Sequence, residues 1–377
     1  MPHRVSAIKT EDYSVPLLKE AVRRHVAALE AEELFVPGVK VVLKPNLLMK
    51  RRPEEATTTH PALVQAVAAY LLERGVADIT VADSPGGPYT KSALEWIYTA
   101  CGLREAAGHT GMKLNLGTGC RAVASGVPDS LCGSFNIIDP VREADVVINL
   151  PKLKTHGMMT LSGGVKNLFG CVPGLQKPEL HFRFPEKDRF GRMLVELAET
   201  VCPQLTIVDA VVAMEGDGPS AGRLKQVGWT FASTEIHALD VALCDLAGLD
   251  AAQVPTIVFA RQKGLAPAKD ALVYVGDGRP GDIAPFVPPS SRSVDFARVL
   301  PGPLQGLGRR LLSPRPVIRK RKCVGCGNCA QVCPAGAIDM PNKKPGIDYR
   351  KCIKCYCCHE LCPVRAVYIR RFRLLDW

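Results

Sequence analysis

Two cysteine-rich stretches near the end of the chain carry the densest chemistry in the sequence. KCVGCGNCAQVCPAGAI (322–338) and KCIKCYCCHELCPVRAV (351–367) align at an offset of 29 residues, and each contains C-x2-C-x2-C-x3-C-P. This spacing suits metal binding, because a tight loop aims three sulfurs at one centre while the following residues carry the fourth sulfur away. Zinc also takes four thiolates, but eight cysteines in two identical patterns exceed what a tetrahedral zinc site needs.

The two stretches resemble the two-cluster bacterial ferredoxins over residues 318–370. In that family three cysteines of one run ligate one [4Fe–4S] cluster, and the fourth ligates the cluster of the other run. The resemblance predicts two clusters, one bound by Cys323, Cys326, Cys329 and Cys362 and the other by Cys333, Cys352, Cys355 and Cys358. Cys357 falls out of register and is interpreted as a bystander thiol.

Composition limits the class of protein. The 377 residues are 47% hydrophobic and 23% charged, which predicts a globular chain of two or three domains. Nine of the 15 cysteines lie within 323–362, which indicates metal in a reducing compartment, and the other six are interpreted as core residues. The start of the chain has neither an export signal nor twin arginines, and no run of 18 apolar residues occurs. We therefore expect a cytoplasmic protein without a transmembrane segment.

The formal net charge of +11 is concentrated at one end of the chain. Residues 309–377 contain 16 Lys and Arg against 4 Asp and Glu, a net charge of +12, which leaves −1 for residues 1–308. Thiolate-ligated clusters are anionic, and we interpret the cations as their counterpart. Nucleic-acid binding is not expected, because this segment has few aromatic residues for base stacking.

The first 280 residues alternate strands with helices. VKVVLKPNLLM (39–49) and DITVADSPGG (78–87) each predict a strand that ends in a loop, and PALVQAVAAYLLERG (61–75) between them predicts a helix. The alternation predicts an α/β fold, a mostly parallel sheet with helices on both faces, followed by a small α+β ferredoxin-like domain. The predicted domains are 1–280 and 318–377, joined by a Pro/Gly/Arg-rich linker at 281–317 that includes a short helix near 294–299.

Polar side chains accumulate where the predicted strands end, which is where open α/β sheets bind ligands. The three lysines and one histidine of PKLKTHGMMTLSGGVKN, within 151–167, predict a phosphate-bearing or carboxylate ligand, although lysines after a strand can also be solvated loop charge. We expect a ligand crevice formed by Lys44, Asn46, Asp83, Ser84, Lys152, Lys154, Gly163, Gly164 and Asn167, with Lys166, His156 and Glu215 as catalytic candidates.

Two of these assignments have alternatives. His156 or Glu215 could exchange a proton with the ligand. Glu215 could equally bind a metal or hold a lysine of the crevice. His60, which precedes Pro61 at a predicted helix start, is either a residue of the crevice or a helix-capping or loop residue.

Several motifs of the first 280 residues carry a resemblance. KPN, TTTHP, ADSP, PKLKTH with S-G-G-x-K-N, and MEGDGP resemble the domain of unknown function 362 family over roughly residues 5–280. The resemblance implies an α/β domain that is often fused to ferredoxin-like clusters and has no agreed substrate. SGGVKNLFGCVPG is also similar to the lactate racemase family, which would imply that Lys166 anchors a nickel pincer nucleotide and that His156 is a base.

Together these features predict an iron–sulfur oxidoreductase component. Its clusters would relay electrons between a redox partner protein and an anionic small molecule or further cofactor, organic or metal, held in the crevice by the lysines. The alternative is a non-enzymatic electron carrier or assembly factor whose large domain docks a partner protein. A tight small-molecule pocket would argue against that alternative.

Overall fold

The computed structural model describes residues 2–281, 283–291 and 314–370. The strands are β1 His3–Lys9, β2 Lys40–Pro45, β3 Asp78–Val81, β4 Lys113–Leu114, β5 Cys120–Ala124, β6 Ser134–Ile138, β7 Val146–Leu150, β8 Lys152–His156, β9 Thr160–Ser162, β10 Leu205–Glu215, β11 Arg223–Ser233, β12 Leu272–Gly276, β13 Arg315–Ile318, β14 Ile338–Asp339, β15 Gly346–Ile347 and β16 Val367–Arg370. The helices are α1 Val15–Ala28, α2 Pro61–Glu73, α3 Lys91–Ala100, α4 Leu103–Thr110, α5 Asp139–Glu143, α6 Gly164–Asn167, α7 Gln176–Arg183, α8 Lys187–Val201, α9 Ile236–Leu246, α10 Pro255–Gln262, α11 Asn328–Gln331 and α12 Cys357–Glu360.

One ten-stranded sheet organises the larger part of the chain. Its order is β12-β1-β11-β10-β7-β2-β3-β4, and β8 pairs with both β10 and β9. Pairing is parallel from β10 through β7, β2 and β3 to β4, whereas β11 lies antiparallel between β10 and β1. The predicted mostly parallel α/β sheet is confirmed, with the β10–β11 hairpin as its main antiparallel element.

Helices cover both faces of this sheet. Val41 and Leu43 of β2 pack with α1, α2, α3 and α4 in one core, whereas Val42 between them packs with α8 in a second core. Successive strand residues point to opposite faces, so these two cores lie on the two sides of the sheet. The continuous burial of β2 and β7 follows, because parallel strands covered on both faces read as unbroken apolar runs.

The segment after β7 differs from the expected loop. Lys152–His156 forms β8 and pairs with β10 and with β9, and every residue of β8 is buried. A strand with two lysines and a histidine is unusual, since cations are rarely buried without partners. Sequence patterning alone predicts a loop here because it cannot show the buried partners that make the strand possible.

The carboxyl-terminal part contains two small antiparallel pairs, β13 with β16 and β14 with β15, and the two short helices α11 and α12. This matches the expected small α+β ferredoxin-like architecture. The boundaries between the predicted domains remain predictions. Residues 283–291 of the predicted linker pack on the sheet, where the Val287 amide donates to Glu215 at 3.0 Å. The helix expected near 294–299 lies outside the described residues.

Within the ranges that the structure describes, no helix combines the length and apolar character needed to span a bilayer.

Candidate functional site

The two predicted cysteine sets line two separate cavities. We name the first the outer set, which consists of Cys323, Cys326, Cys329 and Cys362. We name the second the inner set, which consists of Cys333, Cys352, Cys355 and Cys358. Their cavities enclose about 330 and 340 Å³, each including space open to solvent. The fold therefore brings each run's fourth cysteine into the cavity of the other run.

The backbone of the two runs repeats as closely as their sequence. Gly325 and Gly327 have φ of 70° and 81°, and the residues 29 positions later, Lys354 and Tyr356, have φ of 57° and 64°. A left-handed backbone costs energy for residues other than glycine, so its recurrence at Lys354 and Tyr356 shows that the loop shape is imposed. Such loops turn successive amides toward an anionic centre.

Amide groups already point at the cysteine sulfurs. The Ala337 amide donates to Cys333 Sγ at 3.2 Å, and the Ala366 amide, 29 residues later, donates to Cys362 Sγ at 3.1 Å. Hydrogen bonds of this kind are among the means by which proteins tune iron–sulfur clusters. Four thiolates with amide donors around them are the donor set that a [4Fe–4S] cluster requires.

Zinc is the other metal that thiolates of this kind could bind. In the described ranges, no three His, Cys, Asp or Glu side chains are grouped to hold a single metal ion. Zinc draws its sulfur ligands to about 2.3 Å from one centre. A [4Fe–4S] cube binds each thiolate through a different iron, which keeps the sulfurs further apart.

A third cavity, which we name the seam cavity, lies between the sheet and the carboxyl-terminal part. It encloses about 580 Å³, including space open to solvent. Its walls come from the loops after β2 and β3, from α6 and α7, and from α12 with the residue after it. Six of the predicted crevice residues line it: Lys44, Asn46, Asp83, Ser84, Lys166 and Asn167.

An ion pair forms the floor of the seam cavity. Lys44 Nζ lies 2.8 Å from Asp83 Oδ1, and the Leu47 amide donates to Asp83 Oδ2 at 2.6 Å. Both charged side chains are almost completely buried. Burial raises the pKa of Asp83, and Lys44 opposes this effect. A buried pair of this kind is stable only while both partners are present.

A lysine that the sequence analysis did not select holds the loop after β3. Lys177 Nζ of α7 donates to the Ser84 carbonyl at 2.8 Å, to Ser84 Oγ at 3.0 Å and to the Pro85 carbonyl at 3.1 Å. Burial lowers the pKa of Lys177 to about 7. The role of Ser84 is therefore to bind Lys177, while both residues also face the cavity.

Three asparagines fix another wall. Asn46 Nδ2 donates to Asn167 Oδ1 at 2.9 Å, and Asn167 Nδ2 donates to Asn149 Oδ1 at 2.8 Å. Lys154 Nζ donates to Asn46 Oδ1 at 3.0 Å and to the Thr57 carbonyl at 2.8 Å. Burial lowers the pKa of Lys154 to about 7. Lys154 therefore positions Asn46 and does not itself line the seam cavity.

Lys166 differs from these other lysines. Its ammonium lies 4.9 Å from the centre of the Phe169 ring, and within the described part of the chain it has no hydrogen bond and no ion pair. Burial lowers the pKa of Lys166. The nearby Glu360 carboxylate opposes this effect without forming an ion pair, so the ammonium group can still bind an anionic ligand from the cavity.

Two titratable side chains at the seam cavity come from the two parts of the chain, His156 from the sheet and Glu360 from α12. His156 Nε2 lies 3.3 Å from Glu360 Oε1, although the contact does not have hydrogen-bond geometry. His156 Nδ1 accepts from the amides of Met158 and Met159 at 3.1 and 3.3 Å, so its proton is on Nε2, toward Glu360. Burial, with Lys166 next, lowers the pKa of His156 well below its usual range. Glu360 lines the cavity, and His156 lies behind it.

Lys152 serves another site. Its Nζ donates to Asp209 Oδ2 at 2.9 Å and to Tyr13 Oη at 2.7 Å, deep under the loops. Tyr13 Oη in turn donates to Asp209 Oδ1 at 2.8 Å. The Tyr13 ring stacks on His60, whose Nδ1 accepts from the Ala62 amide and so caps α2. The structure therefore places Lys152 and His60 in a closed structural cluster away from the seam cavity.

The start of α6 is also closed to a ligand. The Gly164 amide donates to Asp240 Oδ1 at 2.6 Å, and the Val165 amide donates to Asp240 Oδ2 at 3.2 Å. A Cβ on Gly163 would lie 2.2 Å from Asp240 Oδ1. The anion expected at this helix start is therefore the protein's own carboxylate, and Gly163 and Gly164 do not reach the cavity.

Glu215 likewise lies outside the seam cavity. It accepts from Arg223 Nη2 at 3.1 Å, from Lys225 Nζ at 3.3 Å and from the Val287 amide at 3.0 Å. The hydrogen bonds and charges of these partners outweigh its burial and lower its pKa. Of the three roles open to Glu215, the structure shows it holding lysine, although this lysine belongs to the β11 strand and not to the crevice.

Sequence reasoning missed the contribution of α12. Comparison of the two runs at their 29-residue offset contains the signal, because Cys357 and Glu360 replace Asn328 and Gln331 of the first run. Gln331 is exposed, whereas Cys357 and Glu360 are buried and line the seam cavity. The second run thus departs from the first at positions that face the sheet. Cys357 also lines the cavity of the inner set.

His181 of α7 is a further missed residue. It is buried, lines the seam cavity and stacks on Phe190 with ring centres 4.2 Å apart. Its Nδ1 has no hydrogen-bond partner within the described residues. Burial lowers the pKa of His181 to about 3, so the ring is neutral at ordinary pH. A neutral imidazole there can donate to a ligand or accept from it.

Comparisons with known proteins agree with these two parts. A family model described as a 4Fe-4S dicluster domain matches residues 315–363, so this part of the chain is of the type that binds [4Fe–4S] clusters. A second family model, described as "Domain of unknown function (DUF362)", matches residues 41–245.

A thylakoid-associated protein of Synechocystis sp. is 37% identical over 279 residues, which cover 73% of this chain and 84% of that protein. Two solved structures show lower similarity. One is the lactate racemase apoprotein of Thermoanaerobacterium thermosaccharolyticum, at 11% identity, with 66% of this chain and 57% of that chain covered and a TM-score of 0.43. The other is a protein of Thermotoga maritima, at 13% identity, with 58% and 56% covered and a TM-score of 0.33. Scores this low carry no argument about function. The family-model match, with the identity to the Synechocystis protein, shows that the chain belongs to the family of the domain of unknown function DUF362.

Proposed function

We propose that this protein transfers single electrons between two [4Fe–4S] clusters and an anionic small molecule bound in the seam cavity. The observation that carries the proposal is the position of α12. Cys357 lines both the cavity of the inner set and the seam cavity, so only one short helix separates the clusters from the ligand. A relay needs such closeness at each step, because electron exchange falls steeply with distance.

The order of the relay follows from burial. Cys326 of the outer set is exposed, whereas Cys355 and Cys358 of the inner set are buried. A partner protein can therefore approach the outer cluster, and the inner cluster is the one next to the ligand. The clusters supply one-electron chemistry, and the surrounding chain binds the ligand and excludes water.

The ligand would be held by charge and by fixed amide groups. Lys166 offers an ammonium group that has no ion pair among the described residues, and Asn46 and Asn167 are held rigidly beside it by their mutual hydrogen bond. Cations in a water-poor cavity stabilise negative charge that develops on a ligand during reduction. Glu360, with the Nε2 proton of His156 behind it, is the carboxyl group available for proton exchange.

The proposal is tested by anaerobic purification with counts of iron and sulfide and mass spectrometry of any small molecule that co-purifies. About eight irons per chain, a low-temperature paramagnetic signal after dithionite and a bound anionic molecule are the expected results. Eight irons without any bound molecule would favour a non-enzymatic carrier. Zinc in place of iron would overturn the proposal.

A matched pair of variants localises the ligand. Lys166→Ala is expected to retain its iron and lose the molecule. Lys91→Ala, at an exposed lysine of α3 outside the cavity, is expected to retain both. If Lys166→Ala keeps the molecule as tightly as the unaltered protein does, the ligand is bound elsewhere.

A further inference from the structure

The cations of the carboxyl-terminal part exceed what its clusters can neutralise. Residues 314–370 contain 12 Lys and Arg against 3 Asp and Glu, a net charge of +9. A [4Fe–4S] cluster with four thiolates carries a charge of about −2, so two clusters offset only about four of these nine charges. The interpretation that the clusters account for the basic segment is therefore incomplete, and about five positive charges need another explanation.

Much of the surplus lies around the outer set. We name the outer face the surface formed by Lys320, Arg321, Lys322, Val324, Cys326, Lys343, Lys344 and Val364, all of them exposed. Lys343 lies directly against the outer loop, since a Cβ on Gly325 would be 2.8 Å from the Lys343 carbonyl oxygen. None of the five cations pairs with a carboxylate in the parts of the chain that the structure describes.

Neighbouring cations behave differently. Arg365 lies 3.3 Å from Glu55, and Arg350 lies 3.2 Å from Asp348. These two arginines are used within the protein, one of them to fasten the carboxyl-terminal part to the sheet. One exposed carboxylate, Asp339, lies next to Met340 at the edge of the outer cavity. The outer face is therefore strongly but not uniformly positive.

The centre of the outer face is apolar. Val324 is 64% exposed and Val364 is 38% exposed, and both line the outer cavity with Cys326. The two valines therefore leave apolar surface open to solvent beside a predicted cluster ligand. An apolar centre within a charged rim is the arrangement of a protein–protein interface.

We propose that the outer face docks an acidic one-electron carrier protein, which exchanges electrons with the cluster of the outer set. The inference rests on the proposed function, since it assigns the place at which the relay meets its partner. Opposite charges would guide the two proteins together, and the valines would fill the dry centre of a small contact around Cys326. In each encounter, one electron leaves the reduced carrier and enters an oxidised cluster, with no bond made or broken.

Other partners fit the surface less well. A single nucleic-acid strand binds through aromatic stacking platforms along a basic groove, and the exposed apolar residues of this face are valines. An anionic lipid surface would use the cations but would not need an exposed cluster ligand at their centre. The acidic carrier explains the charges, the valines and the exposure of Cys326 together.

The test uses the full-length holoprotein and an acidic flavodoxin reduced beforehand to its hydroquinone. The two are mixed anaerobically, and appearance of the flavin semiquinone band gives the rate of electron transfer to the clusters. Two double variants are compared, K320E/K322E on the outer face and K91E/K263E on exposed lysines elsewhere. Each reverses two charges and lowers the net charge from +11 to +7, a difference of four.

Transfer to K320E/K322E is expected to be at least ~10-fold slower than to the unaltered protein at 0.01 M salt, where the screening length is about 30 Å. In 1 M salt, where that length is about 3 Å, the difference should almost vanish. K91E/K263E should remain within about 3-fold of the unaltered protein, because its altered charges lie away from the contact.

Three results would overturn the docking face. One is a full set of clusters in K320E/K322E with an unchanged rate, which would leave the proposed function standing. Another is equal slowing in K91E/K263E, since net charge alone would then be responsible. The third is binding to phosphatidylglycerol vesicles that K320E/K322E loses while its flavodoxin rate stays unchanged. Absence of iron in the unaltered protein would instead overturn the proposed function, and the docking face with it.

Discussion

Replacement of Lys152 and of Lys166 by methionine separates a lysine that stabilises the fold from one that is proposed to bind a ligand. Lys152 is completely enclosed and pairs with Asp209 at 2.9 Å, so Lys152→Met leaves a buried carboxylate without its cation. Breaking a buried pair in this way costs about 3–5 kcal/mol. Lys166 has no such partner among the described residues, and its ammonium is desolvated.

The expected cost of Lys166→Met is therefore small. The substitution loses the contact with the Phe169 ring, which lies 4.9 Å from the ammonium and is worth about 0.5–2 kcal/mol. It also removes a partly desolvated charge and adds an apolar side chain of similar length, which offsets much of that loss. The net change in unfolding free energy should lie within about 1 kcal/mol of zero.

Thermal unfolding of the anaerobic protein, followed by circular dichroism, measures the difference. At about 2–4 °C per kcal/mol, Lys152→Met should lower the melting temperature by roughly 6–20 °C, and Lys166→Met should change it by no more than about 4 °C. Iron content is counted in each sample so that cluster loss is not mistaken for destabilisation of the sheet. Equal losses of melting temperature would show that Lys166 has a structural role and is not free to bind a ligand.

Three further predictions concern the rest of the site. Counts of iron and sulfide should show that Cys357→Ala retains about eight irons per chain, whereas Cys358→Ala loses about half of them. Loss of iron from Cys357→Ala would instead show that Cys357 is a cluster ligand. Burial raises the pKa of Asp240 to about 6, above the ordinary 3.8, so the Asp240 carboxyl stabilises the fold most below pH 4, and this stabilisation is lost as pH rises through 6. Denaturant titrations of the unaltered protein and of Asp240→Asn should show that the unaltered protein loses about 1 kcal/mol of unfolding free energy relative to the variant between pH 5 and pH 8. A difference that stays constant with pH would contradict this. Gly170→Ala puts a Cβ 1.9 Å from the Asp83 carboxylate of the buried ion pair and should destabilise the protein by about 3 kcal/mol or more. Gly87→Ala, whose Cβ would meet no atom within 4 Å, is the control. Equal melting temperatures for the two variants would refute the steric argument.

The cluster part was predictable because its information is local. The cysteines of each run lie within eleven residues, so their spacing alone determines which sulfurs face the same centre. The crossing of Cys333 and Cys362 to the opposite cavity is a property of the repeat, and the structure places both cysteines there. The α/β sheet was predictable for a related reason, since the alternation of apolar strands and helices is repeated along the chain.

The roles of individual crevice residues depend on partners that are distant in sequence. For this reason, several of the predicted residues do not line the seam cavity. Lys152 is neutralised by Asp209, and the amide of Gly164 is bound by Asp240, 76 residues away. Neither of these pairings can be recognised from the sequence around Lys152 and Gly164. A cation that follows a strand looks the same in sequence whether it meets a carboxylate of the protein or faces an open cavity.

In the proposed function, the seam cavity would link ligand binding to cluster assembly. Its α12 wall lies between Cys355 of the inner set and Cys362 of the outer set, and Ser220 holds it to the sheet through a 2.6 Å hydrogen bond to the Glu360 carbonyl. A part of this size has too small an apolar core to fold without its metal. If this part binds its clusters as proposed, iron would determine where Cys357 and Glu360 lie, and the cavity would depend on cluster assembly. In the proposed function, such a site would present its ligand to a cluster that is already in place, so binding and electron transfer would both depend on this short helix.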